Sequence, residues 1–162
     1  MPLSQNLTAN FIVSTSGTPI WAASMAYGSP TTTNNQAEYN GLLTGLVYAH
    51  RANIDPLFVV GDSQLIIRQQ RTRAEPRAHH LRQLYMRCRV LADKCKVVKW
   101  THQLRAFNKT ADSLTNLAMD TARSRQVIFS PETTDDHFHT VVMRYAASDL
   151  RKWLDDCAED RR

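Results

Sequence analysis

The sequence predicts a single α/β domain in which helices flank a mixed β-sheet. The chain has 162 residues, which suits one compact domain with a hydrophobic core. Two β-prone segments separated by turn residues open it, and segments with apolar residues at helical spacing then alternate with short apolar runs. A hairpin followed by alternating helices and strands is typical of a mixed sheet.

The N-terminal segments predict a hairpin and then a helix. Residues 11–14 and 20–27 are short β-prone runs on either side of the turn residues Ser, Gly and Thr. From Gln36 onward, apolar residues recur every three or four positions, as on one face of a helix. We expect Asn34 or Asn35 to be the N-cap, because the side-chain oxygen of Asn can accept from a free amide of the first turn.

The middle of the chain alternates strands with helices. The apolar run at residues 57–60 is typical of a strand buried on both faces. In order, we predict a strand at 57–60, helices at 63–70 and 78–94, a strand at 97–101, a loop at 102–110 and a helix at 111–123. We assign residues 1–125 to this domain and residues 126–162 to a C-terminal tail with an extra helix at 146–158.

Charge is distributed unevenly along the chain. Residues 1–37 contain no Asp, Glu, Lys or Arg, whereas residues 51–109 contain 13 Lys or Arg and 4 Asp or Glu. A basic middle section suits a polyanion such as nucleic acid, although a solvated basic helix face would give the same count. Seven cations of this section are candidates for phosphate contacts: Arg68, Arg71, Arg73, Arg77, Arg82, Arg87 and Lys109.

Cysteine usage and hydropathy predict an intracellular protein of the cytoplasm or nucleus. The three cysteines form no CxxC pair and no metal-ligand spacing, so we expect reduced thiols. No apolar run reaches the roughly 18 residues that cross a bilayer, and we expect no membrane partner. The N-terminus lacks the pattern of a secretory signal.

Three acidic residues stand where α/β folds gather ligands. Glu38 lies at the start of the first predicted helix, Asp62 directly follows the strand at 57–60, and Asp112 opens the last predicted helix. Converging carboxylates bind hard cations such as Mg²⁺. Each residue also has an ordinary structural explanation, because Glu38 could interact with the helix dipole and the two aspartates could cap the following helices.

The sequence segments around these acidic residues resemble the motifs of type-1 ribonuclease H. The stretch Thr-Asn-Asn-Gln-Ala-Glu-Tyr at 33–39 resembles the first-helix motif of the family, and Gly-Asp-Ser-Gln-Leu at 61–65 resembles its strand-four motif. Arg105, Asn108, Asp112 and Asn116 resemble the stretch that leads into its last helix. The resemblance covers about residues 10–125 and is closest to the archaeal, bacterial and retroelement subgroup.

The resemblance implies an RNA–DNA hybrid endoribonuclease that uses two Mg²⁺ or Mn²⁺ ions. In the two-metal scheme, ions about 3.5–4 Å apart activate a water and stabilise the leaving oxygen. By resemblance, Glu38 and Asp62 serve the first ion and Asp112 the second, while His102 or Arg105 assists product release or contacts phosphate. His102 could equally be a strand-end residue packed against Trp100. The residues that would contact an RNA–DNA hybrid or double-stranded RNA are Asn34, Asn35, Gln36, Ser63, Gln64, Arg105, Asn108 and Lys109.

One carboxylate of the family pattern is missing. The family carries its metal-bridging Asp on a first strand at the sheet centre, but nothing upstream of Glu38 is acidic and only residues 1–10 precede the predicted hairpin. Three explanations stay open: residues 2–10 fill the slot, a second chain (such as a homodimer partner) or a tail strand at 138–145 fills it, or the sequence is part of a longer polyprotein. Losing the strand would leave backbone groups unpaired.

Three functions therefore compete at this point. The domain is a hybrid ribonuclease with weakened activity, a catalytically inactive relative that still binds nucleic acid, or a protein-interaction module on the same fold. The missing bridging ligand favours the second over the first on chemical grounds. The basic section at 51–109 argues against the third.

Overall fold

The computed structural model of the chain describes residues 6–14, 19–27, 33–103 and 125–128, together with the helical positions 144, 149, 151 and 155. These residues belong to two compact units, one formed by residues 1–8 and 27–104 and the other by residues 9–26 and 105–162. The elements in chain order are β1 (Asn6–Val13), β2 (Pro19–Tyr27), α1 (Asn34–Arg51), β3 (Leu57–Gly61), α2 (Gln64–Thr72), α3 (His79–Lys94), β4 (Val97–His102) and β5 (Arg125–Ile128).

The first unit is built on the packing of α1 against α3, with α2 and the strands β3 and β4 beside them. The helices meet through the apolar faces that the sequence periodicity indicates, because residues three and four apart share one side of a helix. The buried cluster consists of Tyr39, Leu43, Leu46, Ile66, Ile67, Leu81, Tyr85, Cys88, Ala92 and Trp100. His50 in the last turn of α1 is exposed.

Helix α1 begins earlier than the sequence predicts. Its N-cap is Thr33, whose hydroxyl accepts from the Gln36 amide at 3.2 Å while the Gln36 side chain accepts from the Thr33 amide at 2.8 Å. This reciprocal pair is a capping box, and it satisfies two otherwise free donors. Neither Asn34 nor Asn35 is the cap, so that prediction is wrong. Glu38 is consequently the fifth helical residue, and the first turn contains no acidic residue.

Strands β3 and β4 pair in parallel, with Val59 opposite Trp100 and Gly61 opposite His102. The prediction that residues 57–60 are buried on both faces is wrong: Leu57 and Val59 pack against the helical core, whereas Phe58 and Val60 are 46% and 37% exposed. Alternate side chains of a strand point to opposite faces, and only one face meets the helices. Within the described residues, β3 is hydrogen-bonded to β4 alone.

A sheet of order β1-β2-β5 lies mostly in the second unit. Trp21 and Ala23 of β2 are fully buried. Strand β5 runs antiparallel to β2, with Ala23 opposite Gln126 and Trp21 opposite Ile128. The sequence pattern does not predict β5, because four residues are too few to establish a period. Strand β1 begins at Asn6, so the second half of the segment 2–10 is part of the hairpin strand.

Beyond β5, the described positions of the C-terminal tail are helical. Asp149, Arg151 and Asp155 agree with the helix predicted at 146–158, and Asp149 is buried. Arg144 is also helical, which contradicts a strand at this point of the segment 138–145. The division of the chain at residue 125 stays a prediction.

Among the described residues, no helix combines the length and the apolar character that crossing a membrane requires.

Candidate nucleic-acid site

Asp62 directly follows β3 and is exposed. The residue after it, Ser63, is the N-cap of α2, and its hydroxyl accepts from the Ile66 amide at 3.4 Å. The cap of α2 is therefore Ser63, and the capping role that we considered for Asp62 is excluded. The carboxylate stands at the carboxyl end of a parallel strand, where α/β proteins place their ligands.

His102 joins this position from the neighbouring strand. It is the last residue of β4 rather than part of the following loop, and its Nε2 lies 3.2 Å from the backbone carbonyl oxygen of Asp62. A carbonyl oxygen only accepts, so the contact requires a proton on Nε2. The next amide, that of Gln103, donates to the Gly61 carbonyl at 2.9 Å and continues the pairing beyond the strand.

Glu38 is half-buried on α1, between the buried residues Ala37 and Tyr39. The first turn that precedes it is held by the capping box, in which the Gln36 side chain is already engaged. Asn34 is exposed and Asn35 is half-buried. Ser63 is used as the cap of α2, while Gln64 is exposed. Gln36 and Ser63 thus have structural roles that the sequence motif alone did not reveal.

Several predicted site residues lie outside the described part of the chain. These are Arg105, Asn108, Lys109 and Asp112. Among the residues that the structure describes, no group of three or more His, Cys, Asp or Glu side chains is arranged to hold a metal ion. The described part of the candidate site therefore comprises Glu38, Asp62 and His102.

Gln103 is a residue that sequence reasoning missed. It is 6% exposed, and its side-chain Nε2 has no hydrogen-bond partner among the described atoms. A buried amide nitrogen without a partner costs free energy comparable to a lost hydrogen bond. Thr101, two residues earlier in the chain, likewise has a buried hydroxyl oxygen without a partner among the described atoms. No sequence signal separates these residues from ordinary strand positions.

The candidate cations are spread over α2 and α3, and some are already engaged. Arg73 forms an ion pair with Asp93 at 2.9 Å, and Arg82 lies 3.8 Å from Glu75. Arg68, Arg71, Arg77 and Arg87 are exposed. Arg89 was not among the candidates. It is buried, and its guanidinium carbon lies 5.6 Å from the centre of the Trp100 ring.

Comparison with known proteins places the chain in a family. The model of the family described as "Reverse transcriptase-like" matches residues 7–118, more than half of the chain. A Ribonuclease HI of Halobacterium salinarum is 38% identical over 90 residues, which cover 56% of this chain and 45% of that protein. The Bifunctional protein Rv2228c of Mycobacterium tuberculosis is 37% identical over 90 residues, which cover 25% of its length. The chain thus spans less than half the length of these curated relatives.

Solved structures agree with the family match. The crystal structure of RNase H1 from Halobacterium salinarum superimposes with a TM-score of 0.62 at 31% identity, covering 72% of this chain and 87% of that one. The N-terminal RNase H domain of Rv2228c, solved as a fusion with maltose-binding protein, gives a TM-score of 0.53 at 27% identity, covering 72% and 93%. The fold class predicted from the sequence is confirmed, and the chain belongs to the ribonuclease H family.

Proposed function

We propose that this domain is an RNA–DNA hybrid endoribonuclease with weakened activity, in which Glu38, Asp62 and Asp112 bind divalent metal. The observation that carries the proposal is the position of Asp62 at the carboxyl end of β3. Ser63 caps the following helix, and His102 contacts the Asp62 backbone. A family match and relatives named ribonuclease H support the same reaction class.

The donor chemistry of the described residues fits Mg²⁺ or Mn²⁺. Glu38 and Asp62 supply carboxylate oxygens, which are the ligands that hard divalent cations prefer. With Asp112 they would hold the metal, which when bound supplies an activated water and neutralises charge on phosphate. His102 would keep the turn at Asp62 in place through its Nε2 proton.

Binding of the hybrid would rely on groups around these carboxylates. Asn34, Asn35 and Gln64 stand at the starts of α1 and α2, where side-chain amides can contact sugar and phosphate. Arg105, Asn108 and Lys109 would contribute further phosphate contacts by resemblance. Hydrogen bonds to 2′-hydroxyl groups would distinguish the RNA strand.

A second candidate function, nucleic-acid binding without cleavage, is favoured by one sequence observation. Residues 1–37 contain no carboxylate that could bridge two metals. Two dications held close together repel strongly, and a shared anion offsets that repulsion. Without it, Asp112 alone would hold the second ion weakly. We therefore expect cleavage far below that of a complete four-carboxylate site, with a preference for Mn²⁺ and a need for high metal concentration.

The deciding experiment is cleavage of a labelled RNA–DNA hybrid across a titration of Mg²⁺ and of Mn²⁺. Weak, metal-dependent cleavage that disappears in Asp62→Asn supports the ribonuclease. Binding of the hybrid without cleavage at any metal concentration supports the second candidate. A variant with an added N-terminal strand that carries an Asp should cleave the hybrid faster than the unmodified protein. Equal and robust Mg²⁺-dependent rates in both proteins would show that another group already supplies the missing carboxylate.

A further inference from the structure

A basic pocket lies at the opposite end of β4 from His102. It is open to solvent, has a volume of about 400 Å³, and lies between the end of α2, the middle of α3 and the start of β4. We call it the α2–β4 pocket and define it by Arg71, Arg73, Arg89, Val98, Lys99 and Trp100. Its described lining contains four cations and no acidic residue.

Two arginines of the pocket share one acidic partner among the described residues. Arg73 and Arg89 share one carboxylate, that of Asp93, at 2.9 and 3.0 Å. One carboxylate carries half the charge of the two guanidinium groups that it contacts, and the exposed Arg71 adds a third arginine to the lining. An anion in the pocket would therefore gain from several cations at once.

Arg89 makes the pocket a preformed site rather than a cluster of surface cations. The residue is 9% exposed, and its Nη1 donates to the Gln70 carbonyl at 2.6 Å and to Gln70 Oε1 at 3.2 Å. The guanidinium also stacks on Trp100, while its Nε is buried without a partner among the described atoms. A buried cation that is fixed in place loses little side-chain entropy on binding an anion.

The pocket is separate from the candidate cleavage site. Residues 97–100 of β4 line the pocket, whereas His102 at the end of the strand contacts Asp62. At the usual rise of a strand, His102 is about 7 Å along β4 from Trp100 and about 16 Å from Val97. Helix α2 covers a similar span, since it begins after Ser63 and ends beside Arg71 and Arg73. A small anion would reach one of the two places, whereas a nucleic acid carries phosphates along its whole length.

We propose that the α2–β4 pocket binds backbone phosphate of the same nucleic acid that the carboxylates engage, and so provides a second anchoring point. This inference rests on the proposed function, because it takes that nucleic acid as the ligand. Phosphate contacts fix the position and register of a duplex without reading its sequence. The pocket would therefore increase affinity for hybrid of any sequence.

The test compares two double variants that each remove two positive charges. Arg71→Ala/Lys99→Ala removes cations of the pocket, whereas Arg51→Ala/Lys94→Ala removes exposed cations from the last turns of α1 and α3. The affinity for a labelled RNA–DNA hybrid is measured without divalent metal, so that no cleavage occurs, over a series of salt concentrations. Thermal unfolding checks that both variants are folded.

We expect the pocket variant to bind roughly fivefold to tenfold more weakly at low salt. The slope of log affinity against log salt should fall by about 1 to 2, since each lost phosphate contact removes about 0.9 for a B-form duplex. The control variant should change both quantities much less. Equal effects in the two variants would overturn the proposal.

A measurement on the unmodified protein guards against a folding defect in the pocket variant. Inorganic pyrophosphate, added to labelled protein, should shift the NMR resonances of the Arg89 Nε–H and the Trp100 indole before those of other side chains. The absence of such shifts would overturn the pocket. If the protein cleaves hybrid but the two double variants behave alike, only this inference fails. If binding depends on the pocket but cleavage is never seen, the inference stands and the proposed ribonuclease fails.

Discussion

The Nε2 atom of His102 lies 3.2 Å from the backbone carbonyl oxygen of Asp62, and this contact links the end of β4 to the turn after β3. The register places His102 beside Gly61, the residue before Asp62. This hydrogen bond is made to the backbone of Asp62 and not to its carboxylate, and it restricts the turn that carries the carboxylate. His102 is therefore a positioning residue in the proposed site.

Replacing His102 tests that role. We expect His102→Ala to lower kcat for hybrid cleavage by up to about a hundredfold with little change in KM, because a small displacement of a reacting group is costly. His102→Gln, which retains a side-chain N–H donor, should recover part of the loss. An Ala variant with the full rate would contradict the positioning role.

The metal site makes a geometric prediction. In a crystal structure with Mn²⁺, the carboxylate oxygens of Glu38, Asp62 and Asp112 should approach the ions to about 2.0–2.6 Å. If one of the three carboxylates lies more than about 10 Å from the other two, that carboxylate does not belong to the site, since a ligand must contact its cation.

Asp62 and Ser63 should separate activity from stability. Ser63→Ala removes the cap of α2 and should lower the free energy of unfolding by about 0.5–2 kcal/mol. Asp62→Asn removes the charge of the proposed metal ligand and should abolish cleavage. Because this variant keeps the Ser63 cap, its effect on stability should be much smaller. Urea unfolding and the hybrid assay on both variants provide the comparison, and the reverse pattern would show that the cap is misassigned.

Tyr39 should matter for stability through its hydroxyl group. That hydroxyl donates to Gln69 Oε1 at 2.6 Å within the core. Tyr39→Phe would leave the buried Gln69 oxygen without this donor, at a cost of about 1–3 kcal/mol.

Burial also raises the pKa of Tyr39 to about 12. Because the folded-state pKa exceeds the usual value of 10.0, this group favours folding below pH 10 and ceases to do so as the pH rises towards 12.

Urea unfolding at pH 8 and at pH values between 10 and 12 would measure the contribution of Tyr39. The wild type should lose more stability than Tyr39→Phe over that interval. Parallel curves for the two proteins would contradict the assignment. Burial raises the pKa of Cys88 to about 12 as well, so both proteins should be compared in a Cys88→Ala background.

Asp93 makes a prediction at acid pH. The hydrogen bond from Arg73 lowers the pKa of this carboxyl below its usual value of 3.8, and Arg89 adds to the effect. A lowered folded-state pKa means that the carboxylate stabilises the fold above about pH 4 and loses that contribution as the pH falls below it. Asp93 is half-exposed, so the increment is small, about 0.2–1 kcal/mol.

Chemical unfolding of wild type and Asp93→Asn between pH 6 and pH 3 would detect this increment. The wild type should be more stable at pH 6, and the difference should shrink at the acid end. A difference that does not depend on pH would show that the carboxylate charge has no such role.

Local chemistry in the sequence determined the helical core and the motif positions. The apolar spacing of Leu43 and Leu46 in α1, and of Leu81 and Tyr85 in α3, predicts the faces that are buried, because helical periodicity is a short-range property. The motif around Asp62 likewise predicts a strand followed by a helix, since a β-prone run and a helix cap are both encoded within a few residues.

Only the tertiary structure decided features that depend on residues distant in sequence. Phe58 is exposed although its apolar run predicted burial on both faces, because burial depends on which elements cover each face of the sheet. Arg89 looks like any cation of a basic helix, yet contacts with Gln70 and Trp100 hold it at the pocket. The His102 contact with Asp62 joins residues 40 positions apart, and it depends on the parallel register of β3 and β4, which no local pattern encodes.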